Sequence, residues 1–400
     1  MNKIVNTRVG PKTSRLYFLD WLRVLAFAYL IFFHTGMMFV SWDFHIESGH
    51  DIQFIKYIMS LSHIWRIALL FLVSGVAISY MTQKIDMKSF SKERVARLFI
   101  PLLFAAIIVV APQSYFEALQ KGFIEEGFIN FFINDYFSFT WIDGMLGPMP
   151  VYNHMWYVLY LLLYTMLLLP VFYFLNGEKG VAIMTKFEGW LTTGYRIIWL
   201  PVGLFMLTKN TLWPLFPETH ALIDDWWIHA DSIIILMIGF IFVRMPKTWE
   251  KLAELRWLLF VLAILSFAML MAVYYAPNEY LPADGRVLYP FVTPIVKWSW
   301  IAMLAGMARH LLNKGSLMLT YLNKAVYPFF ILHQTVTIIL GYYAIDWGMG
   351  ALGEFLVISL GTFVICWVLF EGVIKHFVFT RLVFGMRPMV QSFVKNPQTQ

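Results

Sequence analysis

The sequence has little charge and almost no cysteine. Only 14% of its 400 residues are charged, against about 25% in an ordinary soluble domain, and so few charged side chains cannot cover a soluble surface. The single cysteine, Cys366, lies in an apolar stretch and excludes an intrachain disulfide framework. The chain has no P-loop, no dinucleotide fingerprint and no Cys-His cluster with metal-ligand spacing. We therefore predict no metal site and no permanently bound cofactor.

Long apolar segments recur along nearly the whole chain instead. A helix needs roughly 20 mostly apolar residues to cross a bilayer, and open strands would leave backbone groups unsatisfied in lipid. We therefore predict an all-α fold, a polytopic membrane helical bundle with about ten transmembrane helices. The ten segments lie near residues 16–40, 63–82, 98–116, 154–175, 196–215, 230–246, 257–276, 288–309, 325–345 and 354–375.

Basic residues are concentrated in alternate loops. Of the 30 Lys and Arg, 23 fall on the side that includes both termini and Arg23 lies within the first segment. The opposite side holds only Lys56, Arg66, Lys121, Lys209, Arg286 and Lys297. Because basic residues are retained in the cytoplasm, both termini are predicted to be cytoplasmic. Topology thus explains the net charge of +6, and no nucleic-acid partner is predicted. The predicted division is a cytoplasmic tail 1–15, a transmembrane domain 16–380 and a cytoplasmic tail 381–400.

Two polar residues stand out in the first predicted helix, Arg23 and His34. They are eleven residues apart, almost three turns, so they share one face at a separation of roughly 16 Å along the axis. Ionisable groups inside a span are costly and often mark a substrate path. One interpretation is a line along which a substrate is stretched toward a catalytic His34. The other is structural: Arg23 pairs with Asp20, and His34 caps an outer hydrogen-bond network.

Two further pairs have the i,i+3 spacing that places side chains on one helical face. His63 and Arg66 begin the second segment, where Arg66 either faces a substrate or extends to lipid headgroups. Arg94 and Arg97 precede the third segment on the predicted cytoplasmic side. Two guanidinium groups there suit a phosphate group, although any cytoplasmic loop is expected to be basic.

The remaining candidates lie later in the chain. His154 and Trp156 open the fourth segment and fit either an interfacial aromatic belt or a sugar-stacking wall. His333 lies within the ninth segment and Glu371 in the tenth, where they face a polar cavity or satisfy one another. We expect one cavity to be lined by Arg23, His34, Arg66, His333 and Glu371.

Together these residues resemble the integral-membrane acyltransferase-3 family, and within it the branch of periplasmic glucan succinyltransferases. The similarity extends over almost the whole chain. The motifs that carry it are the spacing of Arg23 and His34, Trp42 with His45, His63 with Arg66, Phe71 to Gly75, Arg94 with Arg97, Asn153 to Tyr157, and Tyr327-Pro328 to His333.

The resemblance implies that His34 is catalytic, that Arg23 is its required partner, and that Arg94 and Arg97 bind acyl-CoA, as succinyl-CoA or acetyl-CoA. It implies an acceptor hydroxyl on a periplasmic glucan or surface polysaccharide. It also implies a multi-pass protein of the bacterial inner membrane, with other glycan-synthesis proteins as candidate partners. The candidate substrate-binding residues are Arg66, His63, His154, Trp156, His333 and Glu371.

A transporter is the competing function class. Buried Arg and His side chains also bind substrates or relay protons in exporters that form no covalent bonds. The sequence has no evident inverted repeat, which is the usual mark of such transporters. A structural partner in a glycan-synthesis complex is the third alternative, and it predicts that His34 tolerates substitution.

Overall fold

The computed structural model describes residues 15–125, 127–138, 150–275 and 287–387, so nearly all of the two predicted tails lies outside the described residues. Within these ranges there is no strand. Seven helices are long and apolar enough to cross a membrane, and the number rises to ten if each of three bent helix pairs is one span. The prediction of an all-α membrane bundle with about ten spans is confirmed.

Each predicted segment overlaps at least one observed helix. The helices are, in chain order, α1 (Tyr17–Met37), α2 (Gln53–Lys84), α3 (Met87–Phe104), α4 (Ala111–Gln120), α5 (Phe128–Asn130), α6 (Trp156–Leu167), α7 (Leu169–Asn176), α8 (Glu178–Leu191), α9 (Arg196–Thr211), α10 (Trp226–Phe242), α11 (Pro246–Glu254), α12 (Arg256–Tyr275), α13 (Tyr289–Leu311), α14 (Leu317–Ala344), α15 (Gly350–Leu369) and α16 (Val378–Val383). A π-helical turn, Ala105–Val109, joins α3 to α4 as one long span.

Local sequence signals explain where several helices begin and bend. The side chain of Asp86 caps α3 by accepting a hydrogen bond from the Ser89 amide at 3.0 Å, which is the usual way to satisfy a free N-terminal amide. The hydrogen bonds from Ser89 hold the pKa of Asp86 below its ordinary value. Pro246 begins α11 after a turn of 104° from α10, a position that costs no helical hydrogen bond.

Helices α2 and α10 pack with their backbones in close contact at two glycines. A Cβ atom on Gly75 would lie 1.9 Å from the carbonyl oxygen of Leu236, and one on Gly239 would lie 2.0 Å from that of Leu72. Small residues allow this approach in membranes, where helix association relies on van der Waals packing. The two glycines therefore hold α2 and α10 in backbone contact along one line.

We expect Gly75→Leu to separate α2 from α10, because the added side chain meets backbone atoms that cannot rotate away. Overpacking of a well-packed core costs roughly 1–3 kcal/mol, and rigid neighbours place this site at or above the upper end. The measurement is the monodisperse fraction and the thermal unfolding midpoint in detergent. Gly203→Leu is the matched control, since a Cβ there meets nothing within 4 Å. Equal destabilisation by both variants would contradict the packing described.

Candidate functional site

Two cavities enter the bundle from opposite ends. The larger, about 1900 Å³, is here called the basic cavity because ten Lys and Arg side chains and only three Asp and Glu line it. The smaller, about 280 Å³, is called the histidine cavity. The basic side chains of the first are Arg15, Arg23, Lys84, Arg94, Arg97, Lys179, Arg244, Lys324, Arg381 and Arg387. The polar wall of the second includes His34, His63, Arg66, His154, Lys209, Glu218, His220, Asp231 and Lys297.

Arg23 is held at the wall of the basic cavity by two side chains. Its guanidinium donates to the Asn323 side chain on α14 and lies 3.5 Å from the Asp20 carboxylate. The pairing with Asp20 considered from the sequence is thus present, but it is long and the neighbouring amide is the closer acceptor. Because Arg23 lines the cavity, the structural pairing and a role toward a substrate do not exclude one another.

Arg94 and Arg97 face the same cavity but differ in their partners. Arg97 donates to the carbonyl of Gly385 at 3.2 Å and lies 3.4 Å from Glu93. Arg94 is only 9% exposed, 5.9 Å over the ring of Phe90, and its Nε has no hydrogen-bond partner among the described residues. A buried guanidinium that lacks an acceptor is well suited to an incoming phosphate or carboxylate.

Tyr157 separates the two cavities. It is the one side chain of the described residues that lines both. Its phenol donates to the carbonyl of Leu70 at 3.2 Å and lies 2.7 Å from the hydroxyl of Ser74. These hydrogen bonds fix the ring at the place where the walls of the two cavities meet.

His34 and His333 are adjacent, with ring centroids 5.2 Å apart, although His333 is not on the wall of the histidine cavity. His34 lines the cavity, and its Nδ1 is buried without a partner in the described part of the chain. Nδ1 of His333 lies 2.7 Å from the carbonyl oxygen of Phe330. A carbonyl only accepts, so that nitrogen carries the proton and Nε2 of His333 is left as a buried, unpaired acceptor.

His154 is fully hydrogen-bonded, in contrast to His34. The amide nitrogen of Gln113 lies 3.3 Å from its Nδ1, and its Nε2 lies 3.2 Å from the carbonyl oxygen of Ile331. The amide can donate and the carbonyl can only accept, so Nδ1 is the acceptor and Nε2 the donor. Gln113 in turn accepts from Asn153 and Gln334, at 3.0 and 3.2 Å. His154 therefore forms part of a fixed polar network.

Arg66 is buried rather than extended toward headgroups. It is 4% exposed, and its guanidinium lies 3.4 Å from the centre of the Phe33 ring. Its Nε and one terminal nitrogen have no hydrogen-bond partner among the described residues. The interpretation of Arg66 as a headgroup contact is wrong, because the side chain turns inward and lines the histidine cavity.

Glu218, in the loop between α9 and α10, contacts two histidines on the wall of the histidine cavity. It lies 3.6 Å from His63 and 2.9 Å from His220. Burial by itself would raise the pKa of Glu218, but the two imidazoles outweigh burial and hold that pKa well below its usual range. Trp156 stacks on His220, with ring centroids 4.1 Å apart. Trp156 therefore forms cavity wall and not only an interfacial belt.

The expectation that five polar residues line one cavity is wrong for three of them. His333 is buried beside His34 but lines neither cavity. Arg23 lines the basic cavity, because eleven residues of helix separate it from His34 along the axis. Glu371 lines neither cavity. It accepts from Tyr321 at 2.7 Å and pairs with Lys375 one turn away, so it does not satisfy His333 either.

Sequence reasoning missed several residues of the histidine cavity. From the sequence, Lys209 and Lys297 count only among the basic residues on the less basic side of the membrane. In the structure Lys209 is 4% exposed, and Lys297 forms an ion pair with the buried Asp231. A signal was available, since a lysine or aspartate within an apolar helix is costly unless it faces polar surroundings. Within the described residues, no group of three or more His, Cys, Asp and Glu could hold a metal ion.

Comparison with known proteins gives one consistent result. A family profile described as an acyltransferase domain, that of the acyltransferase-3 family, matches residues 16–371. The chain is similar to the glucans biosynthesis protein C of Escherichia coli strain K12, with 21% identity over 339 residues, which cover 82% of this chain and 84% of the relative. The protein of the same name from Escherichia coli O1:K1 has the same identity and coverage. No solved structure matches the chain.

Cysteine labelling can test whether the two cavities open on opposite faces of the membrane. Ala68 lines the histidine cavity and Ala77 the basic cavity, and both belong to α2. In a Cys366→Ser background, we expect a membrane-impermeant thiol reagent to label Ala68→Cys from one side of sealed vesicles and Ala77→Cys from the other, because thiolate reactivity requires water. Gly203→Cys, which has open surroundings on α9, should stay unlabelled in lipid. Labelling of both positions from one side would refute the arrangement.

Proposed function

The chain belongs to the acyltransferase-3 family, and from that premise we propose that it transfers an acyl group from acyl-CoA in the basic cavity to a glycan hydroxyl in the histidine cavity. Membership in this family makes the chain a membrane acyltransferase and decides against a transporter without transfer chemistry. The observation that carries the finer proposal is the meeting of two chemically different cavities at Tyr157.

The basic cavity suits the donor. The phosphates of CoA are polyanionic, and an excess of seven cationic side chains over acidic ones on the cavity wall supports their binding. Arg94 and Arg97, on α3, bind phosphate oxygens of the donor. Arg23 lies on the wall of the same cavity, on α1, the helix that also carries His34. The positive-inside rule predicts that this end of the bundle faces the cytoplasm, where acyl-CoA is available. The donor is succinyl-CoA or acetyl-CoA.

The histidine cavity suits the acceptor. Stacked Trp156 and His220 offer an aromatic surface of the kind on which sugar rings pack. Both similar proteins have names that refer to glucan biosynthesis. The proposed acceptor is accordingly a periplasmic glucan or another extracytoplasmic glycan, which enters on the face opposite to the donor, in the inner membrane of a bacterium.

His34 acts as the general base in this proposal. Its imidazole removes the proton from the acceptor hydroxyl, whose oxygen attacks the thioester carbonyl carbon. The C–O bond forms, the C–S bond breaks, and the CoA thiolate takes the proton back from the imidazolium. Arg66, buried and without an acceptor, stabilises the negative charge on the carbonyl oxygen. Arg23 is less suited to that task because it lines the other cavity.

His333 positions His34. Its Nδ1 donates to the carbonyl of Phe330, which leaves Nε2 as an unpaired acceptor next to the ring of His34. An N–H of His34 donated to this atom leaves the other nitrogen of His34 as the base, the arrangement that a general base needs. His154, whose nitrogens are both engaged, holds the wall against which His333 packs.

We expect His34→Ala to lower transfer by roughly 10²–10⁴-fold, the usual contribution of a general base. The measurement is mass spectrometry of periplasmic glucans and surface polysaccharides from cells that express the wild type, the variant or neither. A defined acyl mass that depends on the wild type also identifies the acceptor.

His50→Ala is the matched control for that experiment. His50 does not line the histidine cavity, and its side chain is 42% exposed. Insertion of each variant is checked by its amount in the membrane. An acyl profile that is the same with wild type, His34→Ala and no protein would reject acylation of these glycans.

Removing the positive charges of the donor site should weaken the binding of acyl-CoA more than it slows the acyl-transfer step. We expect the double variant Arg94→Gln, Arg97→Gln to raise KM for acyl-CoA roughly 10²–10⁴-fold with a smaller change in kcat, because two charge-assisted hydrogen bonds together contribute roughly 3–6 kcal/mol. Lys186→Gln, on an exposed surface of α8, is the control. An unchanged KM in the reconstituted protein would remove these arginines from the donor site.

A further inference from the structure

Lys209 is a buried cation whose charge no described acid neutralises directly. Its side chain is 4% exposed and lines the histidine cavity. Its Nζ lies 3.9 Å from the ring centre of Trp213, 3.7 Å from that of Trp227 and 5.0 Å from that of Tyr289. Aromatic faces stabilise a positive charge without accepting conventional hydrogen bonds. The ammonium therefore keeps its hydrogen-bond donors available for another group.

The nearby acid is already engaged. Asp231 forms an ion pair with Lys297 through one carboxylate oxygen and accepts a hydrogen bond from Thr208 through the other. Glu218, the second acid on the cavity wall, lies against His63 and His220. After these pairings, Lys209 and Arg66 remain as the cations of the histidine cavity without a carboxylate in contact among the described residues.

From this arrangement we infer that Lys209, within the box formed by Trp213, Trp227 and Tyr289, is an anion-binding subsite of the histidine cavity. It takes a carboxylate or phosphate group carried by the substrate. The inference rests on the proposed function, since it assigns the anion to one of the two molecules that meet beside His34. A buried positive charge in a membrane bundle destabilises the protein unless an anion pairs with it.

The anion has two chemical sources. It is either the distal carboxylate of a dicarboxylic acyl group, such as succinyl, or an acidic substituent on the acceptor glycan. Both present the same group to Lys209. In either case the ion pair forms in a small, largely apolar cavity, where it is stronger than in water. The subsite thus selects among substrates that the acyl-transfer chemistry itself does not distinguish.

The test compares Lys209→Met with the wild type, each reconstituted in liposomes. Succinyl-CoA and acetyl-CoA are supplied in competition, and so are a neutral glucan oligosaccharide and the same oligosaccharide oxidised to carry a carboxylate. We expect the variant to lower transfer of the charged substrate at least tenfold relative to its neutral counterpart. Because the readout is a product ratio within one sample, a partly unfolded preparation does not change it. Lys209→Arg should restore part of the preference.

The two sources give different results. A fall in the succinyl-to-acetyl ratio with both acceptors assigns the anion to the acyl group. A fall in the preference for the oxidised acceptor with both donors assigns it to the glycan. Equal loss for all four combinations, or no change in any ratio, would overturn the inference. Lys56→Met, an outer-face lysine that hydrogen-bonds to Ser41, is the control.

A binding measurement separates this inference from the proposed function. Free succinate is expected to raise the thermal unfolding midpoint of the wild type, by mass action, more than the neutral succinamide does, and Lys209→Met should abolish the difference. If the wild type transfers no acyl group, the proposed function fails and this measurement still decides on the subsite. No difference between succinate and succinamide in the wild type, together with unchanged product ratios, rejects the subsite.

Discussion

The cost of leaving a charged group in hydrocarbon determines the interior of this protein. Arg66, Arg94 and Lys209 are each less than a tenth exposed, yet each lies on the wall of a cavity and not against lipid. A bundle that contains such side chains must form polar cavities around them, because uncompensated charges in a span cost several kcal/mol. The two cavities are thus the means by which the fold accommodates its own cations.

The contact between α2 and α10 links this electrostatic requirement to the geometry of the site. Gly75 and Gly239 allow the two backbones to touch. One of these helices carries Arg66 and both alanines used for labelling, and the other carries Trp227 and Asp231. A shift of one helix against the other would therefore move side chains on both sides of the histidine cavity. The geometry of the histidine cavity therefore depends on the backbone packing of α2 against α10.

The number of engaged ring nitrogens distinguishes His34, His154 and His333, which the sequence alone does not separate. Both nitrogens of His154 are engaged, and His333 keeps one free acceptor, while Nδ1 of His34 has no partner in the described part of the chain. A saturated imidazole has a fixed tautomer and no free lone pair for proton transfer. His34 alone among the three combines a position on the cavity wall with an unengaged ring nitrogen.

The sequence by itself determined the helical membrane class of the protein with about ten spans, and it predicted a shared face for Arg23 and His34, because hydrophobic length and helical periodicity are local properties. Only the tertiary structure decided that Arg23 and His34 open onto different cavities, that Glu371 accepts from Tyr321, and that three aromatic rings surround Lys209. These contacts join residues far apart in the chain, as in the hydrogen bond from Arg23 to Asn323. Hydropathy places a helix in the membrane but does not choose its neighbours, which side-chain packing and hydrogen bonding select.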